Sequence, residues 1–288
     1  FPTQRSSDLA LRGIKDAFDP RTHKIRPHKG QLTTAGNILN LTKGSTFITS
    51  QGELRVQDAY SLRCIPQVHG ASKDAVRYVE EQVLIEINSV TDNPIVLENG
   101  DVISGGNFHG QPMALSFDFL GIAIAEIANI SERRLERLMD NNIDDLPEFL
   151  VKNGGLNSGF MITQYAAASL VSENKILAHP ASVDSIPSCG NQEDHVSMGT
   201  IAARKSREIL ENTKRVLATE MMAACQAIDF RKGFVLGKGT STAYKTIRQV
   251  IDFIETDKIM YKDLDIVTEL ITNSKLLNEV EKEVQLNY

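Results

Sequence analysis

Three clusters of polar side chains in this sequence combine residue types that can bind and deprotonate a small charged molecule. The first cluster is Gln57, Tyr60 and Arg63. Their spacing of three would align them on one face of a helical turn. A guanidinium there can form paired hydrogen bonds to a carboxylate, and a phenol can move a proton or donate to an oxyanion. The alternative is a structural network in which the arginine and the amide fix a loop.

The second cluster is Asn107, Phe108 and His109, followed by Gly110. An aromatic ring next to a glycine can line a pocket. A phenylalanine in a loop can equally close the edge of a hydrophobic core. The sequence therefore makes Phe108 a candidate for substrate contact without deciding between these two roles.

The third cluster is a run of five polar residues, Asn191, Gln192, Glu193, Asp194 and His195. Acidic residues at the start of a helix usually cap it and interact with its dipole. Glu193 is nevertheless the candidate for contact with a basic ring or an amine. No histidine or cysteine spacing in the chain is typical of a metal site, so we expect no metal.

The element expected to position the third cluster is a helix within residues 188–233. Its apolar residues recur at helical spacing, and they are Val196, Ile201, Ala202, Ile209, Val216, Leu217, Met221, Ala224 and Ile228. Asn191 is the expected N-cap, and Gly233 follows the expected last turn. A helix of this length would extend about 55–60 Å, so we expect the spine of an elongated bundle.

Further helices are predicted over residues 71–89, 112–139, 160–177 and 242–254, with short charged helices after them. Residues 95–97 and 102–103 flank an Asn-Gly turn and predict a β-hairpin. Residues 19–35 are polar, with Pro20, Pro27 and Gly30, and predict an exposed loop that holds His23 and His28 in solvent. The predicted fold is all-α: an elongated bundle of long helices with a minor β-hairpin, which we expect to form a homo-oligomer.

Composition excludes several function classes. The net charge of -6 argues against a nucleic-acid partner. No uninterrupted apolar run reaches the roughly 18 residues of a membrane span. Three cysteines, Cys64, Cys189 and Cys225, cannot all pair with one another and favour a reducing cytoplasm. Residues 233–239 lack the spacing and the hydroxyl residue of a phosphate-binding loop.

Residues 1–9 are polar, have no periodic pattern and begin without Met. They resemble the translation of a sequencing adaptor, and an ordinary frayed terminus is the alternative. We therefore expect residues 1–9 to be a non-native or disordered leader and residues 10–288 to form the helical portion.

Four motifs resemble the histidine ammonia-lyase family. They are Gln-Asp-Ala-Tyr-Ser-Leu-Arg-Cys-Ile-Pro-Gln-Val-His-Gly over residues 57–70, Asn-Ser-Val-Thr-Asp-Asn-Pro over 88–94, Ser-Gly-Gly-Asn-Phe-His-Gly over 104–110, and Asn-Gln-Glu-Asp-His-Val-Ser-Met-Gly over 191–199. They occur in the family's order and span most of the chain. The resemblance implies elimination of ammonia from L-histidine to give trans-urocanate, as in histidine degradation. It also implies a mostly helical homotetramer whose active sites are shared between subunits.

The resemblance also implies an electrophile, a 4-methylidene-imidazol-5-one ring (MIO) that the protein makes from an Ala-Ser-Gly tripeptide. That tripeptide is absent from this sequence. The motifs present are those of the family's C-terminal part, so we expect the chain to be a fragment that is inactive alone.

The resemblance assigns roles to residues that match its motifs. It makes Arg63 the clamp for the substrate carboxylate and places Tyr60 and Gln57 near the electrophile. Phe108 is similar to the pocket aromatic, with Asn107 beside it. Glu193 resembles the residue that faces the substrate side chain or amine, next to Gln192. Tyr60 and Glu193 are the expected catalytic residues, and the other five are expected to bind substrate.

Two kinds of alternative stay open. A phenylalanine or tyrosine ammonia-lyase, or an aminomutase of the same family, would share the motifs; a glutamate at position 193 favours an imidazole substrate, because a carboxylate accepts a hydrogen bond from its N–H. A non-catalytic helical oligomerisation protein would not bring Gln57, Tyr60, Arg63 and Glu193 to one cavity, even across subunits.

Overall fold

The computed structural model describes residues 4–140 and 146–288. Within these ranges lie eleven α-helices, which are α1 (Gln4–Ala10), α2 (Pro20–Lys24), α3 (Lys29–Thr42), α4 (Tyr60–Arg63), α5 (Ile65–Glu86), α6 (Gln111–Met139), α7 (Met161–Leu177), α8 (Gly199–Phe230), α9 (Lys238–Arg248), α10 (Tyr261–Thr272) and α11 (Lys275–Glu281). Strands β1 (Ile95–Val96) and β2 (Val102–Ile103) form one antiparallel pair. The all-α prediction with a minor hairpin is confirmed.

Two long helices, α6 and α8, run parallel and form the centre of the fold. Gly199 at the start of α8 lies against Ala114 near the start of α6. Farther along, a hydrogen bond of 2.5 Å joins Ser131 Oγ of α6 to Glu220 Oε2 of α8. The start of α6 therefore lies beside the start of α8, and the two helices run in the same direction. At 1.5 Å per residue, α8 is about 48 Å long.

Helix α5 packs on α6 in the opposite direction. His69 near its start is 3.5 Å from Nη1 of Arg134, and Ser72 donates to the carbonyl of Ala123 at 2.8 Å. Residue numbers fall along α6 as they rise along α5. The start of α5 thus lies near the end of α6.

The predicted start of the spine helix at Asn191 is wrong: α8 begins at Gly199. Residues 189–191 form a 3-10 turn in which Gly190 and Asn191 have positive φ. The loop closes on itself before the helix begins, because Ser188 N–H donates to the carbonyl of Glu193 at 2.9 Å. Asn191 therefore caps no helix. The helix ends at Phe230, two residues before the predicted end, and Gly233 lies beyond it with φ 83°.

Residues 19–35 hold α2 and the start of α3, joined by residues 25–28, rather than one continuous exposed loop. The side chain of Asp19 accepts from the backbone N–H of Arg21 and caps α2, with Pro20 in the first turn, where a proline is tolerated. His23, predicted to be solvated, is buried. Its Nδ1 accepts from the Gln31 amide at 2.9 Å and its Nε2 donates to the carbonyl of Ala17 at 3.1 Å.

The prediction of a leader over residues 1–9 stays a prediction, and residues 1–3 lie outside the described residues. Ser7, Asp8 and Leu9 are fully buried. Helix α1 packs against α8, and Ser7 Oγ donates to Glu220 Oε1 at 2.7 Å.

Among the described helices, α6 is the one that is long and apolar enough to cross a membrane by length and composition. The core helix of a soluble bundle has the same composition. Here α6 packs against α5, α7 and α8. Its apolar residues contribute to one core, whose largest fully buried members include Leu62, Leu135, Leu138, Leu150 and Phe160.

Candidate functional site

The loop before α4 is fixed by the buried carboxylate of Asp58. Asp58 Oδ2 accepts from the backbone N–H of Ile14 at 2.6 Å, and Oδ1 accepts from Arg55 Nε at 2.7 Å. Arg63 Nε donates to the backbone carbonyl of Asp58 at 2.9 Å. Asp58 lies within the first motif but was not among the predicted site residues.

Tyr60 and Arg63 stand at opposite ends of the single turn of α4. The Arg63 guanidinium lies over the Tyr60 ring, 4.4 Å from its centroid, in a cation–π contact. Tyr60 is 69% exposed, and Gln57 is exposed before the helix begins. In the described part of the chain, Nε is the only nitrogen of Arg63 that makes a hydrogen bond. Its two terminal nitrogens can therefore bind a carboxylate in pairs.

A buried ion pair lies directly beneath α4. Arg134 and Glu220 form two hydrogen bonds, Nε to Oε1 at 2.6 Å and Nη2 to Oε2 at 2.9 Å, and both side chains are almost fully buried. Ser7 and Ser131 donate to the same carboxylate. Arg134 Nη1 also donates to the carbonyl of Ser61 in α4 at 3.4 Å. The pair thus ties α6, α8 and α1 to the helix that presents Tyr60 and Arg63.

His69 completes this buried group at the start of α5. Burial, and then the positive charge of Arg134, hold the pKa of His69 well below its usual value. The imidazole is therefore neutral near neutral pH. The charged run over residues 131–137 by itself predicts a solvent-exposed helix end, but Ser131, Glu132 and Arg134 are buried. The missed signal was a charged residue in an otherwise apolar stripe, which inside a bundle requires an opposite charge.

The second cluster lies before the first turn of α6. His109 Nδ1 accepts from the backbone N–H of Gln111 at 3.3 Å, and its Nε2 donates to the carbonyl of His195 at 3.0 Å. The two imidazole rings stack with centroids 5.4 Å apart. Phe108 is 53% exposed, and Asn107 Nδ2 donates to the carbonyl of Val90 at 3.4 Å.

The third cluster lies in the closed loop before α8. Glu193 Oε2 accepts from Ser188 Oγ at 2.6 Å, and Glu193, Gln192 and Asp194 are all exposed. Because His195 contacts His109, the structure brings the second and third clusters together. No group of three or more potential metal ligands occurs within the described residues.

The first cluster lies far from the other two within one chain. Tyr60 and Arg63 flank Ser61, whose carbonyl contacts Arg134, whereas His109 lies just before Gln111, where α6 begins. The helix between Gln111 and Arg134 extends about 35 Å. One chain therefore carries the candidate site residues in two groups at opposite ends of α6. We call these groups the Arg–Tyr half-site (Gln57, Tyr60 and Arg63) and the Phe–Glu half-site (Asn107, Phe108, Gln192 and Glu193).

Comparisons with known proteins agree on one family. The model of the aromatic amino acid lyase family matches residues 6–249. The histidine ammonia-lyase of Clostridium tetani is 74% identical over 97% of this chain and 55% of its own length, and that of Alkaliphilus metalliredigens is 65% identical over 96% and 55%. The chain thus spans about half the length of the curated relatives it matches.

Two solved structures share the fold. The crystal structure of histidine ammonia-lyase from Trypanosoma cruzi superposes with a TM-score of 0.91 at 42% identity, over 99% of this chain and 54% of that one. Tyrosine aminomutase from Streptomyces globisporus superposes with a TM-score of 0.95 at 35% identity, over 99% and 59%.

Proposed function

The chain belongs to the aromatic amino acid lyase family, and we propose that it forms the C-terminal part of a histidine ammonia-lyase, which converts L-histidine to trans-urocanate and ammonia. The observation that carries this proposal is the 74% identity over 97% of the chain to a protein of that name. Sequence identity to the tyrosine aminomutase is 35%, although its backbone superposes on this chain as closely as that of the Trypanosoma cruzi histidine ammonia-lyase.

The Arg–Tyr half-site suits the amino acid end of the substrate. The two terminal nitrogens of Arg63 can bind the substrate carboxylate as a fork, and the contact with Asp58 fixes the guanidinium for that purpose. Tyr60 lies beside it with its ring exposed, in reach of a substrate held by Arg63. We assign Tyr60 to proton transfer and Gln57 to substrate binding.

The Phe–Glu half-site suits an imidazole side chain. The exposed Phe108 ring offers an apolar surface, and the Glu193 carboxylate can accept a hydrogen bond from an imidazole N–H. Ser188 orients that carboxylate. We assign Glu193 to proton transfer or substrate orientation, and Asn107 and Gln192 to substrate binding.

The electrophile of this family, MIO, would supply an electron sink that makes loss of ammonia feasible. This chain contains no Ala-Ser-Gly from which to form it, so its residues can line the group but not generate it. The two half-sites fit that role, since one offers a cation for the carboxylate and the other a carboxylate for the ring. Positioning of the substrate between them lowers the entropic part of the barrier.

A complete site requires more than one copy of the chain under this proposal, because α6 separates the half-sites by about 35 Å. We therefore propose a homotetramer with shared active sites. Large apolar side chains on α6 and α7 that stay exposed in one copy, among them Leu115, Phe119, Ile122, Ile162 and Tyr165, support an extensive interface. We place the protein in the cytoplasm, with neither nucleic acid nor membrane as partner.

The test is the full-length gene product assayed against L-histidine, L-phenylalanine and L-tyrosine. We expect urocanate from histidine, and no turnover from the 288-residue chain alone. Arg63→Ala should lower kcat/KM about 10- to 150-fold, since a hydrogen bond to a charged group contributes about 1.5–3 kcal/mol. Arg215→Ala, which breaks an exposed ion pair with Asp265, should leave kcat/KM unchanged.

The outcomes separate the alternatives. Turnover of phenylalanine or tyrosine in place of histidine would replace the substrate assignment, and a β-amino acid product without ammonia release would indicate an aminomutase. No turnover of any of the three by a correctly assembled protein would favour a non-catalytic oligomerisation role. Full activity of Arg63→Ala would refute the role given to Arg63.

A further inference from the structure

A cavity of about 380 Å³ lies between α3, α5, α6 and the C-terminal residues 277–288. None of the seven predicted site residues lines it. Its volume falls in the range of small-molecule pockets. The cavity therefore calls for an explanation that the two half-sites do not provide.

The walls of the cavity are held by two contacts. Gly30 and Gly70 bring α3 and α5 together, since a Cβ on Gly30 would lie 2.0 Å from the Gly70 carbonyl oxygen. On the other side, Asn37 and Asn287 exchange two hydrogen bonds of 2.8 Å, which fasten the C-terminal segment over α3. A cavity between such fixed elements is largely preformed.

Two polar groups on its lining, one buried and one partly buried, have no hydrogen-bond or ion-pair partner within the described residues. Thr34 is only 3% exposed, and its Oγ1 makes no hydrogen bond within the described residues. Burial lowers the pKa of Lys73, and the nearby guanidinium of Arg77 lowers it further. Arg77 is paired with Asp74, whereas no carboxylate of the described chain forms an ion pair with Lys73. A partly buried ammonium next to a second cation is a site that an anion would stabilise.

The remaining lining restricts the anion. Ile38, Leu41, Val76 and Leu286 make most of the wall apolar. Glu80 lines the same cavity and would repel a second negative charge. An inorganic phosphate or a dicarboxylate therefore fits less well than a molecule with one negative charge and a hydrocarbon body.

We propose that this cavity binds a small monocarboxylate with an apolar body, whose carboxylate contacts Lys73 Nζ and Thr34 Oγ1. The apolar body lies against Ile38, Leu41 and Leu286. Because the cavity lies between α5 and the C-terminal segment, occupancy fastens that segment to the helix that begins beneath Arg63.

The test uses octanoate as the probe and octanamide as its uncharged twin, with calorimetric titration of the full-length gene product in the absence of amino acid substrate. We expect saturable binding of octanoate and at least tenfold weaker binding of octanamide. Lys73→Gln should weaken octanoate at least tenfold, whereas Lys282→Gln, an exposed lysine in a surface pair, should not change it.

Thr34→Val provides a second, nearly isosteric variant that removes only the unpaired hydroxyl, and it should weaken octanoate several-fold without lowering the melting temperature. No saturable binding, or equal binding of octanoate and octanamide, would overturn the proposal. So would octanoate binding that Lys73→Gln and Thr34→Val both leave unchanged. An upstream segment of a longer protein that fills the cavity would give the first of these results.

Discussion

Replacing one member of the buried Arg134–Glu220 pair should destabilise the protein far more than replacing both. Both side chains are almost fully buried and share two hydrogen bonds. Arg134→Met leaves the carboxylate of Glu220 buried with only serine hydroxyls as donors. Breaking a buried pair in this way costs about 3–5 kcal/mol, so the free energy of unfolding should fall by that amount.

The double variant Arg134→Met/Glu220→Leu removes both charges and fills a similar volume with apolar atoms. Substitutions of this kind are often neutral in other proteins. In the double variant, Ser7 and Ser131 lose their hydrogen-bond acceptor, and this loss lowers the free energy of unfolding in turn. We therefore expect the double variant to recover at least half of the stability lost in Arg134→Met. A double-mutant cycle with the two single variants, Arg134→Met and Glu220→Leu, should report a coupling energy of about 2 kcal/mol or more.

Urea unfolding of the full-length gene product, followed by circular dichroism at matched protein concentrations, measures these differences. Arg215→Met is the control, because it breaks an exposed pair on the same helix as Glu220 and should change stability by less than about 1 kcal/mol. An Arg134→Met variant as stable as the control would refute this account of the core. Equal instability of the single and double variants would refute the electrostatic part of it.

Three further outcomes follow from the structure. The pKa of His69 is well below its value in the unfolded chain, so only the unfolded state takes up a proton on this residue as the pH falls. The free energy of unfolding should therefore fall by up to about 1.4 kcal/mol per pH unit below about pH 6.5 and be retained above it. His69→Gln should flatten that slope when urea midpoints are measured from about pH 7.5 to 5.5. Gly70→Ala should cost about 1–3 kcal/mol, because its Cβ would lie 2.4 Å from the backbone nitrogen of Gln31, whereas Gly36→Ala in open space on α3 should be neutral or stabilising in the same urea assay. A thiol reagent should rapidly modify the exposed Cys189 in the native protein and should not modify Cys225, which is fully buried with a pKa raised to about 12. Cys189→Ser should remove this fast phase of modification. A fast phase that persists in Cys189→Ser would contradict the placement of the loop.

Features that neighbouring residues determine were predictable from the sequence. The hairpin depends on an Asn-Gly turn, and Gly100 has the positive φ that this turn requires. Helices α6 and α7 were predicted to within one residue at both ends, because a glycine or a loop precedes each start and the apolar spacing is continuous. The seven candidate site residues were chosen through the resemblance rather than through spacing alone, and their roles stay predictions.

Features that depend on tertiary contact were not predictable. Asn191 has the side chain of an N-cap, but the hydrogen bonds between Ser188 and Glu193 hold residues 188–193 in a closed loop instead of a first helical turn. Pro20 and Gly30 suggested a loop, yet one begins a helix and the other allows α3 to touch α5. The Arg134–Glu220 pair joins residues 86 positions apart, which periodicity in one helix cannot reveal.

If the proposed function holds, the directions of the helices limit how a complete active site can be assembled. Because α5 runs against α6, the Arg–Tyr half-site lies near the end of α6 and the Phe–Glu half-site lies at its beginning. A second copy placed with its α6 antiparallel to the first would bring its Arg–Tyr half-site to the first copy's Phe–Glu half-site. Such an arrangement has a two-fold axis, so the reciprocal contact forms a second, equivalent site. Under the proposed function, an antiparallel pair made of one Arg63→Ala subunit and one Glu193→Gln subunit within the tetramer should then retain one intact site of the two, whereas a pair of identical variant subunits would have none.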